Sequence, residues 1–304
     1  MKIVIAGGSG FLGQILTERL TRSNHSVVVL SRNPETVRNA FTKAEVESWD
    51  AASLGTWTKR IDGADAVVNL TGESIAGKRW SRKQKDLISG SRVSSTRALV
   101  EAIQRAKKKP HVLVNASAVG FYGDVPDGEV TEDHPKGNDF LADVCARWEF
   151  EAKTAENYGV RVVLPRTGIV LDKNGGALQK LLLPFNLFIG GPLGSGKQWF
   201  PWIHLQDEIG AIVFALENKD ISGPVNLAAA DQVTMREFCL ALGKAIHRPS
   251  WAPVPGIALR ILLGEMAGPL LLGGQGVIPK KLIDSGYKFQ FPKLVDALAY
   301  IFRA

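Results

Sequence analysis

The sequence predicts an α/β fold in which a doubly wound parallel sheet carries a smaller C-terminal α/β lid. Three observations carry this expectation. A short apolar strand, Lys2–Ala6, runs through a glycine-rich turn into an apolar helical pattern over residues 11–20. Strand-like and helix-like stretches then alternate as far as residues 160–164. Beyond Leu171 that alternation gives way to short apolar pieces punctuated by Gly175-Gly176, Gly190-Gly191-Pro192 and Gly194-Ser195-Gly196. The first two features are the signature of a Rossmann-like sheet. The third places a domain change near residue 170, with residues 1–170 as the nucleotide-binding part and 171–304 as a lid interlocked with it.

The glycine turn, Gly7-Gly8-Ser9-Gly10-Phe11-Leu12-Gly13, follows the strand directly and opens the helix. In that order of elements a pyrophosphate lies against backbone N–H groups at a helix N-terminus. One glycine permits the tight turn, one lets the backbone approach the phosphates, and one lets helix and strand pack closely. The expected ligand is therefore a dinucleotide.

Residues 26–30 read as a strand buried on both faces, with a continuous β-branched and aliphatic run after Ser26, ending at Ser31-Arg32. NAD-specific sites place an acidic residue near this point, on the ribose 2′-OH. Here a hydroxyl and a guanidinium suit a 2′-phosphate instead, so NADP(H) is the expected cofactor. Arg32 could otherwise be a solvated residue at a strand end. Residues 46–49 form a short third strand, and the following Asp50 could approach the adenine. Residues 64–70 form a fourth, and Asn69-Leu70-Thr71-Gly72 leaves its carboxyl end, where ligands of open parallel sheets bind.

A polar, basic stretch, 78–92, then leads into a helix that ends at Ala106, with Val93, Leu99, Val100 and Ile103 on its apolar face. Arg92, near the expected helix start, either reaches the pyrophosphate or is solvated. A strand over 111–116 runs into Ser117-Ala118-Val119-Gly120-Phe121-Tyr122-Gly123-Asp124. A long helix follows over 139–157, and a strand over 160–164 precedes Pro165-Arg166-Thr167. In the second half, Asp207 opens a helix to Leu216, and Thr234-Met235-Arg236-Glu237 is a capping box for a helix to Ile246. Residues 294–302 form the last helix.

Composition narrows the function classes. The 304 residues are 45% hydrophobic and 22% charged, ordinary for a globular chain with a sizeable core. The formal charge of +7 fits an anionic cofactor, and no aromatic-plus-basic groove pattern indicates nucleic acid. The two cysteines, Cys145 and Cys239, read as free thiols in a reducing compartment, and the five histidines lack metal-ligand spacing. Met1 leads straight into the first strand, and no apolar run is long enough to span a bilayer, so a cytoplasmic location is expected. Gly191-Pro192-Leu193-Gly194-Ser195-Gly196-Lys197 resembles a triphosphate-binding loop. However, Gln198 stands where a magnesium-binding Ser or Thr is needed, and Pro201 cuts short any following helix.

Gly7 to Gly13, Asn69 to Gly72, Ser117 with Tyr122-Gly123, Arg166-Thr167, and Trp202-Ile203-His204 with Asp207 together resemble an extended short-chain dehydrogenase/reductase. The strings Gly77-Lys78-Arg79-Trp80, Ser91-Arg92, Asp139-Phe140-Leu141-Ala142, Phe200-Pro201-Trp202-Ile203-His204 and Val277-Ile278-Pro279-Lys280-Lys281 resemble its atypical epimerase-like subgroup. Bacterial members of that subgroup are described as sugar-nucleotide epimerases or cell-division inhibitors, and a plant relative is linked to chloroplast division. The resemblance implies that NADP(H) is held by the glycine loop, Ser31, Arg32, Leu70, Thr71, Arg92 and Arg166.

Active members of the wider superfamily use a Tyr-x-x-x-Lys pair, in which lysine lowers the tyrosine pKa for proton transfer at the substrate oxygen. None of the four tyrosines here is followed by a lysine at that spacing. On the helix where the pattern places the pair, this chain has Phe140-Leu141 and Val144-Cys145. Ser117 stands at the position of the superfamily serine, and Tyr122 is close by. The candidate catalytic residues are therefore Ser117 and Tyr122, with His204 as a further group able to polarise a carbonyl.

Two functions follow. One is an NADPH-dependent reductase with a non-standard site and an unknown small-molecule substrate. The other is a non-catalytic NADP(H)-binding regulator acting through a protein partner, in cell or plastid division.

Overall fold

The structure, a computed structural model, describes residues 1–303. The chain begins with β1 (Lys2–Ala6), α1 (Phe11–Arg22), β2 (Ser26–Ser31), α2 (Pro34–Arg38), β3 (Glu45–Ser48), α3 (Thr58–Ile61), β4 (Ala66–Asn69) and α4 (Arg82–Arg105). It continues through β5 (Val112–Asn115), the two-residue β6 (Ser117–Ala118), β7 (Val125–Val130), α5 (Phe140–Lys153) and β8 (Arg161–Thr167). The remainder comprises β9 (Ile169–Asp172), β10 (Gly175–Gly176), α6 (Leu178–Asn186), β11 (Trp202–His204), α7 (Leu205–Glu217), β12 (Gly223–Leu227), α8 (Met235–Ala245), α9 (Gly256–Leu263), β13 (Gln275–Val277), α10 (Lys280–Asp284) and α11 (Leu294–Ile301).

The main sheet has the order β12-β8-β5-β4-β1-β2-β3, with β6 paired to β8, and its pairings are parallel throughout. Side chains alternate across it with the two-residue period of a strand. Ile3 and Ile5 of β1 and Val27 and Val29 of β2 face α1 and α7, meeting Leu16, Leu20, Ile209 and Ile212. Val4, Ala6, Val28 and Leu30 face α4, meeting Leu99 and Ile103. Both faces are covered, which is why these strands read as unbroken apolar runs.

Helix α4 begins eleven residues before Val93 (93 − 82 = 11), earlier than its apolar pattern indicates. Ser81 caps it by accepting from the Gln84 N–H at 3.2 Å, and the basic stretch is the solvated face of its first turns over buried Ile88. Arg92 consequently lies in mid-helix. Strand β12 was not foreseen, because Gly-Pro-Val-Asn-Leu carries little apolar signal and a proline. It is an edge strand paired only with β8, where the missing proline N–H is tolerated.

Thus α7 and β12, from beyond residue 170, complete the main sheet. The rest of that half packs a small sheet, β10-β9-β11, against α8 and α11 through Leu171, Phe200, Trp202, Phe238, Leu242 and Leu298. The capping box at α8 is formed as expected, by Thr234 and Glu237. Gly191 to Lys197 instead runs beside residues 250–254, bridging Leu193 to Val254, while the Gln198 amide donates to the Leu193 and Leu271 carbonyls at 2.9 and 2.7 Å. A separate parallel pair, β13 with β7, packs Val130 and Val277 against Val119, Tyr122 and Ala228.

Candidate functional site

Two adjoining cavities, of about 410 and about 480 Å³, form one cleft along the carboxyl ends of the strands; both are lined by Gly7, Gly10, Leu70 and Gly72. Gly7 has φ +80°, and a Cβ there would come within 2.8 Å of the Leu70 backbone. A Cβ on Gly13 would collide with the Gly7 carbonyl oxygen and the Gly8 Cα. Gly10 caps α1 with extended backbone and no side-chain bond, and the first turn has no acidic residue. The free N–H groups of that turn make a positive end at the waist of the cleft.

The smaller cavity is bounded by Ser9, Ser31, Arg32, Trp49, Asp50 and Thr71. Arg32 leaves the end of β2 exposed and borders the cleft. The Asp50 carboxylate is turned to its own loop, accepting from the Ala52 and Ser53 N–H groups at 2.9 and 2.8 Å and from the Ser53 hydroxyl. Those hydrogen bonds, the hydroxyl's foremost, hold its pKa down at about 2. It is therefore a loop-capping anion, already satisfied, beside an open guanidinium.

Beneath the waist lies a buried polar network. The Asn69 amide donates to Asn115 Oδ1 at 2.7 Å and to the Thr96 hydroxyl at 2.9 Å, and Trp148 Nε1 donates to Thr96 at 3.0 Å. Thr71 bonds Asn69 Oδ1 at 2.5 Å and Ser95 at 2.6 Å, which fixes the backbone of the Leu70-Thr71-Gly72 turn. Arg92 lies against that turn, donating to the Glu73 and Ile88 carbonyls at 3.0 Å each and stacking over Trp148 with Cζ 5.0 Å from the ring. A Cβ on Gly72 would be 2.8 Å from Arg92 Cζ, so glycine is what admits the guanidinium. Burial pushes the Arg92 pKa down from its usual value.

The larger cavity contains Phe11, Leu12, Gly13, Arg92, Ser117 and Thr167 in its walls, with Leu141, Val144, Cys145 and Trp148 of α5 opposite. Leu141 and Cys145 stand four residues apart with both side chains on the cavity, whereas Phe140 packs on Trp80, ring centroids 5.1 Å apart. The two side chains that α5 sets four residues apart on the cavity are thus a hydrocarbon and a thiol. Burial, with the nearby Glu149 carboxylate, pushes that thiol up to about 12.

Three expected site residues are placed differently. Arg166, implied as a cofactor contact, is 3% exposed and lines neither cavity. Its Nε and Nη2 donate to Glu149 at 2.8 and 2.9 Å, and its Nη1 donates to the Tyr122 hydroxyl at 3.0 Å and the Glu132 carbonyl at 3.1 Å. It is a buried structural ion-pair partner. Tyr122 is 2% exposed, lies outside the cavity and donates to Asn226 Oδ1 at 2.6 Å. Burial pushes its phenol up to about 12. His204 caps α7, its Nδ1 accepting from the Gln206 N–H at 3.1 Å, and packs on Phe291 at a ring separation of 4.0 Å. Burial pushes its pKa down to about 4, which leaves it a neutral packing group away from the cleft.

Ser117 does reach the cavity wall, but its hydroxyl donates to Glu149 Oε1 at 2.7 Å. Glu149, not anticipated, therefore ties Ser117 and Arg166 together. Its signal was spacing: Leu141, Cys145, Trp148 and Glu149 share one helix face. Thr167, also on the wall, donates to buried Glu208 at 2.8 Å, and burial pushes the Glu208 carboxyl up to about 8.

Residues 3–228 match the NAD dependent epimerase/dehydratase family, and residues 254–301 match a domain of unknown function, DUF1731. The chain is 42% identical to the chloroplastic epimerase family protein SDR39U1 homolog of Arabidopsis thaliana, over 99% of this chain and 86% of that one. It is 41% identical to the epimerase family protein YfhF of Bacillus subtilis, over 99% and 98% of the two chains. Among solved structures, it superposes on the human epimerase family protein SDR39U1, crystallised with NADPH, with TM-score 0.88 and 35% identity, each chain covered to 99%.

Proposed function

We propose that this chain, which belongs to the NAD dependent epimerase/dehydratase family, binds NADP(H) along its cleft and acts as an NADPH-dependent reductase with a non-standard active site. The observation that carries the cofactor assignment is the pairing of the bare N-terminus of α1 with the open Arg32 guanidinium at the end of β2. The helix end suits a pyrophosphate, and the guanidinium suits a 2′-phosphate. The NADPH bound by the human relative supports this reading. In it, Gly7, Ser9, Gly10, Phe11, Leu12 and Gly13 surround the pyrophosphate and its approaches. Ser31 and Arg32 take the 2′-phosphate, Leu70, Thr71 and Gly72 form the floor, and Arg92 supports that floor.

When bound, the cofactor would supply a hydride. The protein would exclude water with the lid residues Trp199, Phe200, Pro201, Leu270 and Leu271, which also line the larger cavity. Ser117 orients the cavity wall through Glu149. The test is NADPH oxidation by full-length protein across carbonyl acceptors and sugar nucleotides. Turnover of at least one acceptor is expected, and none above background would contradict the reductase assignment.

The absence of an acid at Leu141 and Cys145 favours a second reading, in which bound NADP(H) is sensed and a protein partner, as in cell division, is the output. Among the described residues no helix is long and apolar enough to cross a membrane, and both cysteines are free and buried. These features are consistent with the cytoplasmic location we assign.

A further inference from the structure

We propose that the acceptor taken by the larger cavity is an uncharged, planar quinone rather than a nucleotide-linked sugar or an aliphatic ketone; this rests on the reductase reading above. The first argument is charge. Among the described residues, Arg92 is the only charged side chain lining this cavity, and it is held against Gly72 by its bonds to the Glu73 and Ile88 carbonyls. A sugar nucleotide would bring a diphosphate needing cationic partners of its own. The rest of the wall offers none: it includes Leu141, Ile169, Trp199, Phe200, Met235 and Leu270. Flat aromatic and aliphatic walls suit a flat apolar guest.

The second argument is the weakness of the available acids, for the Cys145 thiol on the wall is made a poorer acid by burial. Each hydroxyl on the wall is already donating, Ser117 to Glu149 and Thr167 to Glu208. The Gln275 amide donates to the Gly123 carbonyl, and the Trp199 indole N–H to the Pro126 carbonyl at 3.1 Å. Hydride delivery to an aliphatic ketone makes an alkoxide about as basic as hydroxide, with a conjugate acid near pKa 16. A quinone instead gives a hydroquinone anion of phenolate type, with a conjugate acid near pKa 10. The difference, about six pKa units, is what a general acid would otherwise have to supply. In the balanced step, the C–H bond of the dihydronicotinamide breaks with its electron pair passing to the quinone. NADPH is oxidised to NADP+, the quinone is reduced to the hydroquinone anion, and that anion takes one proton from bulk solvent once it leaves the closed cavity, so that NADPH, quinone and H+ give NADP+ and hydroquinone.

The experiment compares 1,4-naphthoquinone, cyclohexanone and UDP-glucose as acceptors for the full-length protein, with NADPH binding measured separately by titration. Quinone-dependent oxidation is expected to exceed that with either other acceptor at least a hundredfold. Leu141→Arg is expected to raise the quinone KM at least tenfold while the NADPH Kd changes less than twofold. Leu270→Lys, on the half-exposed lid, gives the same readout should the first variant fold poorly. Equal or better turnover of cyclohexanone or UDP-glucose would overturn the acceptor class and leave the reductase reading standing. An unchanged quinone KM in both folded variants would also overturn the class. NADPH binding without oxidation by any acceptor would overturn both readings.

Discussion

Replacing Arg166 with methionine separates a structural role from a ligand-binding one. The wild-type guanidinium makes four hydrogen bonds, two to Glu149, one to the Tyr122 hydroxyl and one to the Glu132 carbonyl, at 2.8–3.1 Å and with 3% exposure. Hydrogen bonds to charged groups contribute about 1.5–3 kcal/mol each when considered singly. They are not additive here, because the ion pair was itself costly to bury. The relevant magnitude is the cost of leaving one member of a buried pair without its partner, about 3–5 kcal/mol. Arg166→Met leaves the Glu149 carboxylate buried, with Ser117 as its remaining donor. Urea unfolding followed by tryptophan fluorescence is expected to show a loss of about 3–5 kcal/mol. The folded variant should still bind NADPH within twofold of wild type. Glu149→Met with Arg166→Met should recover part of the loss, since a removed pair leaves no orphaned charge. A loss below about 1 kcal/mol, or NADPH binding weakened tenfold in a stably folded variant, would refute the structural assignment of Arg166.

Two further predictions follow from the same geometry. Gly13→Val places carbon where the Gly7 carbonyl oxygen and Gly8 Cα sit, so NADPH binding should fall at least a hundredfold; binding within threefold in titration would contradict the assigned turn. Glu208, raised from 4.5 to about 8, stays protonated when folded while its unfolded counterpart ionises. Its stabilising contribution is complete below pH 4.5, falls by up to about 1.4 kcal/mol per pH unit and is lost above about pH 8. Glu208→Gln should therefore flatten the decline in urea-unfolding stability across that window; an identical pH slope would contradict it.

Much of the fold was legible because its causes are local. Residues 26–30 announced a doubly covered strand by being apolar at every position after the first, and Thr234 marked a helix start by its capping box. The start of α4 was not, because a solvated helix face looks like a basic loop until Ile88 and Gln84 are seen to be buried. Strand β12 was missed because an edge strand tolerates proline and glycine, residues that usually punctuate loops.

The site divides in the same way. The glycine turn is a local device and was readable. Arg166 was not, since its partner lies seventeen residues away on a helix and only burial reveals that the guanidinium is occupied. Tyr122 and Ser117 likewise carry the right functional groups, and their hydrogen-bond partners, Asn226 and Glu149, show where the protons are directed.

The most direct test of the account is a calorimetric titration of NADPH and NADH into wild-type protein and Arg32→Ala. A charge-assisted contact to the 2′-phosphate contributes about 1.5–3 kcal/mol, which corresponds to about tenfold to 150-fold in Kd. Wild type should prefer NADPH by that factor, and Arg32→Ala should lose the preference while NADH binding stays within twofold. Equal wild-type affinities, or a preference that survives Arg32→Ala, would contradict the assignment of the cleft to NADP(H) through Arg32.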